Sequence, residues 1–237
     1  MPALSPPVSG ILFFTRNLIP HISNEKIHSS PGRLLFFAGA SSFTLQAQGT
    51  MNTNKTASSP LDEALSLTSE WDKVFPQSDR VEHRKVTFHN HFGLTLAADL
   101  YMPKGATGKL PAIAVCGLFG GVKEQSSGLY AQTLAERGFI TLAFDPSFTG
   151  ESSGHPRDVF SLDINTEDFQ ASVDYLCNLD GVDPARVGIL GICGWGCIAL
   201  NAAANDPRIK AVVASTMYDM PRIGAWGYND SGTADDR

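Results

Sequence analysis

The sequence predicts an α/β fold of three layers, in which a mostly parallel sheet carries helices on both faces and begins with an antiparallel hairpin. Three observations carry that expectation. From residue 80 onward, short runs of strand-forming residues alternate with stretches of helical periodicity. Strands that alternate with helices need crossover connections, which make neighbours parallel and lay the helices over the sheet. The composition, 237 residues with 43% hydrophobic and 18% charged, suits one globular domain, or one plus an irregular extension.

The elements follow in order. Val81 to Phe88 and Leu94 to Tyr101 are rich in strand formers, and the intervening His89-Asn-His-Phe-Gly93 has turn chemistry, which predicts a β-hairpin. Leu110 to Cys116 is a short apolar run of the buried-strand type. Ser127 to Arg137 reads as a helix that places Leu129, Ala131, Leu134 and Ala135 on one face before Gly138 stops it. Phe139 to Phe144 is a second buried strand, and Thr166 to Leu179 a helix with Thr166 as N-cap. Gly181 to Ala185 turns the chain into a strand over 186–192, Gly194 to Ala204 is helical, and Ile209 to Ser215 is a further strand.

Charge is unevenly spread. Residues 1–61 hold four of the 18 basic residues (Arg16, Lys26, Arg33, Lys55) and one of the 24 acidic ones (Glu25). The expected organisation is therefore an irregular or signal-like extension over 1–60 and a folded domain over 61–237. Within the extension, Arg33 precedes the apolar run Leu34–Leu45 and then Gln46-Ala47, the layout of a cleavable export signal. If Arg33 to Ala47 is such a signal the protein is exported; if translation starts at Met51 it is cytoplasmic. The net charge of −6 lacks the basic excess that phosphate neutralisation needs, so no nucleic-acid partner is expected. No uncharged apolar run reaches the ~20 residues that span a bilayer, so no integral membrane association is expected. The cysteines at 116, 177, 193 and 197 match no zinc-ligand spacing and read as reduced thiols, and neither metal nor cofactor is expected.

In parallel sheets, chemistry gathers at the carboxyl ends of the strands, where loops meet helix N-termini. Gly191-Ile-Cys193-Gly-Trp-Gly196 joins a strand to a helix with no room for an ordinary loop. So sharp a turn strains residue 193, needs small neighbours, and displays the thiol where a helix dipole favours an anion. These residues resemble the α/β-hydrolase superfamily, and within it the dienelactone-hydrolase-like branch, whose nucleophile elbow carries Cys. The resemblance covers about residues 80–220. It implies a three-layer α/β-hydrolase-like fold and a nucleophilic Cys193 acting on a small-molecule ester or lactone. It also implies an oxyanion hole built from Gly194 and from Leu118 or Phe119 in the Gly117–Gln125 loop. One position departs from the pattern. Two residues after the nucleophile, where a small residue is usual, stands Trp195, so either helix and strand pack differently or the indole lies sideways. The bland alternative for Cys193 is a buried packing thiol.

Other polar residues have plainer readings. Lys123, Glu124 and Gln125 read either as substrate contacts or, more plainly, as a charged, solvated helix start, and Asp145 caps or braces its turn. The hairpin histidines His89 and His91 offer a metal pair, but alternate turn residues without a carboxylate partner read as solvent-facing. In this superfamily an acid and then a His follow the nucleophile. No His follows Cys193; the six lie at 21, 28, 83, 89, 91 and 155. Asp219 is the acid candidate and His155, otherwise a surface histidine, the upstream base candidate. The sequence therefore reads as the N-terminal part of a hydrolase, with a strand edge and apolar helix faces left uncovered. The alternative function is a catalytically silent α/β module that binds without turnover.

Overall fold

A computed structural model describes residues 65–233 and the strand Ile11–Thr15. Seven strands form one sheet: β1 (Ile11–Thr15), β2 (Val81–His89), β3 (Thr95–Pro103), β4 (Leu110–Gly117), β5 (Ile140–Phe144), β6 (Val182–Ile192) and β7 (Ile209–Ser215), in the spatial order β1-β7-β6-β4-β5-β3-β2. The central four, β5, β4, β6 and β7, are parallel. The hairpin β2–β3 pairs antiparallel and joins the sheet through β3 against β5. That is the expected architecture. Strand β1 was not expected: it pairs antiparallel with β7, Ile11 opposite Ser215. It lies within the expected extension over 1–60 and covers the edge of β7. The signal-like run Leu34–Leu45 lies outside the described residues.

Among the described residues four α-helices follow in chain order: α1 (Ser126–Ala135), α2 (Leu162–Cys177), α3 (Trp195–Asn205) and α4 (Met220–Trp226). The period-2 pleat of β4 sorts the core into two layers. Ala112, Ala114 and Cys116 face α2 and α3, together with Leu142, Phe144, Ile189, Phe169 and Ile198. Ile113 and Val115 face α1, with Ala143, Leu190, Ala131 and Ala135.

Three boundaries differ from expectation. Helix α2 starts four residues before Thr166, because Ser161 is its N-cap, accepting from the Ile164 N–H at 3.4 Å. Strand β6 starts at Val182, inside the expected turn, and takes a register shift against β4 to absorb it. In α1 the buried face is Ser127, Gly128, Ala131, Gln132 and Ala135, whereas Leu129 is 45% exposed. Leu129 and Leu134 instead border an open groove of about 820 Å³ that runs along β4, β6 and β7. Neither Cys193 nor an oxyanion candidate lines that groove.

Candidate active site

Strand β6 ends at Ile192 and α3 begins at Trp195, leaving two residues to reverse the chain. Cys193 accordingly has φ 60°, a left-handed conformation that costs a non-glycine residue about 1–2 kcal/mol. Three backbone bonds hold it there. Its N–H donates to the Ser215 carbonyl at 2.9 Å, and its own carbonyl accepts from Gly196 at 3.0 Å and Tyr218 at 3.4 Å. The flanking glycines are needed for close approach. A Cβ on Gly191 would sit 2.2 Å from the Trp195 carbonyl oxygen, and one on Gly194 2.8 Å from Met220 Sδ and 3.3 Å from Phe119 Cβ. All four cysteines are free, and Cys193 is half-buried. Burial pushes the Cys116, Cys177 and Cys197 thiols up, which disfavours their thiolates.

The loop between β4 and α1 carries Leu118, at φ 38°, and Phe119, half of whose surface is exposed. The contact between Gly194 and Phe119 brings this loop against the residue that follows Cys193. The Trp195 indole is buried, and its N–H donates to the Leu118 carbonyl at 3.1 Å. Phe119, Phe160 and Trp195 form an aromatic cluster with ring centroids 5.4–6.4 Å apart. Among the described residues, no backbone or side-chain acceptor takes the N–H of Phe119 or of Gly194.

Lys123 corrects the expectation of a solvated helix start. Its side chain is fully buried, with Nζ 2.8 Å from Asp145 Oδ2, 2.6 Å from Glu151 Oε2 and 2.5 Å from Glu124 Oε1. Burial alone would lower its pKa, but Asp145, Glu124 and Glu151 outweigh that and hold it well above the ordinary lysine value. Asp145 braces its turn as expected. It accepts from the Lys123 backbone N–H at 2.7 Å and from the Glu151 N–H at 2.9 Å, and burial raises its pKa despite Lys123. Lys85 extends the network, 2.6 Å from Glu151 and 3.0 Å from Asp72. The carboxylates of Asp72, Glu124 and Glu151 lie close enough together to resemble a cation site, but Lys85 and Lys123 already neutralise them.

The remaining candidates are dispersed. His155 is exposed on the loop that later delivers Phe160 to the elbow. Asp219 is exposed and caps α4, accepting from the Arg222 N–H at 3.0 Å. The hairpin histidines do not converge: His89 pairs with Thr95 at 3.1 Å and His91 with Glu167 at 2.5 Å. Sequence reasoning missed Asp168. It is buried in α2 and accepts from Asn90, Ser147 and Asn165, which ties the hairpin turn to the loop after β5. Its signal was a carboxylate on the apolar side of an amphipathic helix.

The dienelactone hydrolase family model matches residues 96–218, slightly more than half of the chain. The chain belongs to the dienelactone hydrolase family. That bears out the resemblance read from the elbow and its approach strand. The family member is 66% identical over 174 residues to the uncharacterized protein PA2218 of Pseudomonas aeruginosa, covering 73% of this chain and 47% of that protein. The crystal structure of PA2218 superposes with a TM-score of 0.71, over 73% of this chain and 54% of that one. The uncharacterized protein YcjY of Escherichia coli is 44% identical over 63% of this chain and 50% of its own length. The thiohydrolase aneE of Aspergillus aculeatus is 32% identical over 56% and 41%. The chain thus spans about half the length, or less, of these curated relatives. Among the described residues no helix is long and apolar enough to cross a membrane.

Proposed function

We propose that this chain carries the acyl-accepting half of a hydrolase that cleaves ester or lactone bonds, with Cys193 as nucleophile. The observations that support it are the left-handed Cys193 at the N-terminus of α3 and, among the described residues, the two N–H groups of Gly194 and Phe119 that have no acceptor. The Cys193 thiolate attacks the substrate carbonyl carbon and forms a C–S bond, and the carbonyl oxygen takes the negative charge. Two N–H donors stabilise that oxyanion. Collapse breaks the C–O bond; the alcohol leaves with a proton, and the acyl group remains as a thioester on Cys193. Water then releases the carboxylic acid and restores the thiol. The similarity to a thiohydrolase extends the substrate class to thioesters, whose cleavage runs through the same acyl-thiol.

Release of the acyl group needs a base, and base assistance is typically worth about 10² to 10⁴-fold. Asp219, the acid candidate, is engaged as a helix cap. That engagement favours the alternative of a silent binding module. Mixing the chain with p-nitrophenyl acetate separates the readings. The hydrolase reading expects a burst of about one p-nitrophenolate per chain, slow turnover after it, and loss of the burst in Cys193→Ala. A burst that survives in Cys193→Ala contradicts it, and absence of any burst favours the silent module.

A further inference from the structure

Trp195 opens α3 two residues after Cys193, and its side chain makes a directed polar contact rather than only filling space. We infer that Trp195 is a positioning residue for the oxyanion hole: it holds the Leu118–Phe119 peptide so that the Phe119 N–H stands beside the Gly194 N–H. The inference rests on Cys193 being the nucleophile.

The geometry of one peptide carries the argument. Leu118 has φ 38°, a region that a branched apolar side chain enters only where its surroundings impose it. Two donors impose it here, because the Leu118 carbonyl accepts from the Trp195 indole N–H at 3.1 Å and from the Gly121 N–H at 3.0 Å. The Leu118–Phe119 bond is trans, so the Phe119 N–H points opposite to that carbonyl. Fixing the carbonyl therefore fixes the donor. The Phe119 ring stacks on the indole at 6.4 Å with 29° between planes, and a Cβ on Gly194 would lie 3.3 Å from Phe119 Cβ. Trp195 itself follows Gly194 in the chain. One residue thus ties both donors together, its backbone adjoining the first and its indole orienting the second. A small residue at 195 would leave the loop without that link.

The test compares two reactions of one thiol. Acylation by p-nitrophenyl acetate passes through an oxyanion, whereas alkylation by iodoacetamide is a displacement at saturated carbon and does not. In Trp195→Phe the indole N–H is lost and the ring face is kept. Loss of one neutral hydrogen bond to a positioned group corresponds to roughly 3- to 10-fold. The expected result is an acylation rate of Cys193 lower by that factor with an unchanged alkylation rate. Where Phe leaves too large a gap for the variant to fold, site-specific replacement of Trp195 by benzothienylalanine removes the N–H and keeps the bicyclic shape. Equal loss in both reactions, or no loss in either, overturns the positioning role. A wild-type Cys193 that reacts with neither reagent overturns the nucleophile reading and this inference together.

Discussion

Replacing Lys123 by Met leaves the Asp145 carboxylate buried beside two other acids with no cation to balance it. In the native protein the Lys123 ammonium lies 2.5–2.8 Å from Glu124, Glu151 and Asp145, and the side chains of both Lys123 and Asp145 are wholly buried. Removing one partner of a buried ion pair costs about 3–5 kcal/mol. Asp145 retains two backbone N–H donors, from Lys123 and Glu151, which places the expected loss near the lower end of that range. For a domain of this size, 1 kcal/mol moves the unfolding midpoint by about 2–4 °C. Thermal unfolding followed by circular dichroism should therefore show a fall of roughly 6–12 °C. Lys123→Met with Asp145→Asn in the same chain should lose less than the two single changes added, because the stranded charge is gone. A fall of only a degree or two in Lys123→Met would mean that the cluster is screened like a surface pair, and would refute the description of Lys123 as the buried link between the loops after β4 and β5.

Acid should weaken the same network. Burial pushes Asp72 up, but Lys73 and Lys85 outweigh it and hold its pKa at about 2; Glu151 is likewise held below its ordinary value by Lys123 and Lys85. Depressed carboxylates stabilise the fold above about pH 4 and lose that contribution as the pH falls through their folded values. Asp145 and Asp168, raised by burial, act in the opposite sense, since their contribution is present at low pH and lost as pH rises. The urea midpoint should fall between about pH 4.5 and pH 2.5, and Asp72→Asn should make that fall shallower; an equally steep fall in Asp72→Asn would count against the assignment. At the elbow, Gly191→Ala places a methyl 2.2 Å from the Trp195 carbonyl oxygen, where backbone must move. Overpacking of this kind costs about 1–3 kcal/mol, so the variant should melt several degrees lower, and an unchanged midpoint would contradict the close approach of α3 to β6.

The strand–helix alternation was legible because each parallel strand is a short apolar run and each crossover has its own period. The elbow was legible because Gly191, Cys193, Gly194 and Gly196 leave no other way to join β6 to α3. The face of α1 was misread for a physical reason. Apolar spacing selects Leu129, but the helix presses so close to its neighbours that a Cβ on Gly128 would lie 3.0 Å from Phe75 Cζ and 3.1 Å from the Tyr101 hydroxyl oxygen. Gln132 is buried there by bonds to the Pro76 carbonyl and the Ser78 N–H. Thr166 has the chemistry of a cap, yet its hydroxyl bonds Asn201 across to α3, and Ser161 does the capping. Lys123 could not be recognised locally, because its principal partners, Asp145 and Glu151, come from a different loop. Pairing of Ile11–Thr15 with β7 spans some two hundred residues and leaves no mark in either segment alone.

The central claim is that Cys193 accepts the acyl group, and mapping the adduct tests it most directly. The chain is treated with a slight excess of p-nitrophenyl acetate at near-neutral pH, quenched in acid and digested, and the acetylated thiol is located by tandem mass spectrometry. The account predicts acetyl on Cys193, with Cys116, Cys177 and Cys197 unmodified because burial disfavours their thiolates. Acetyl on one of those three thiols, with Cys193 unmodified, would contradict it.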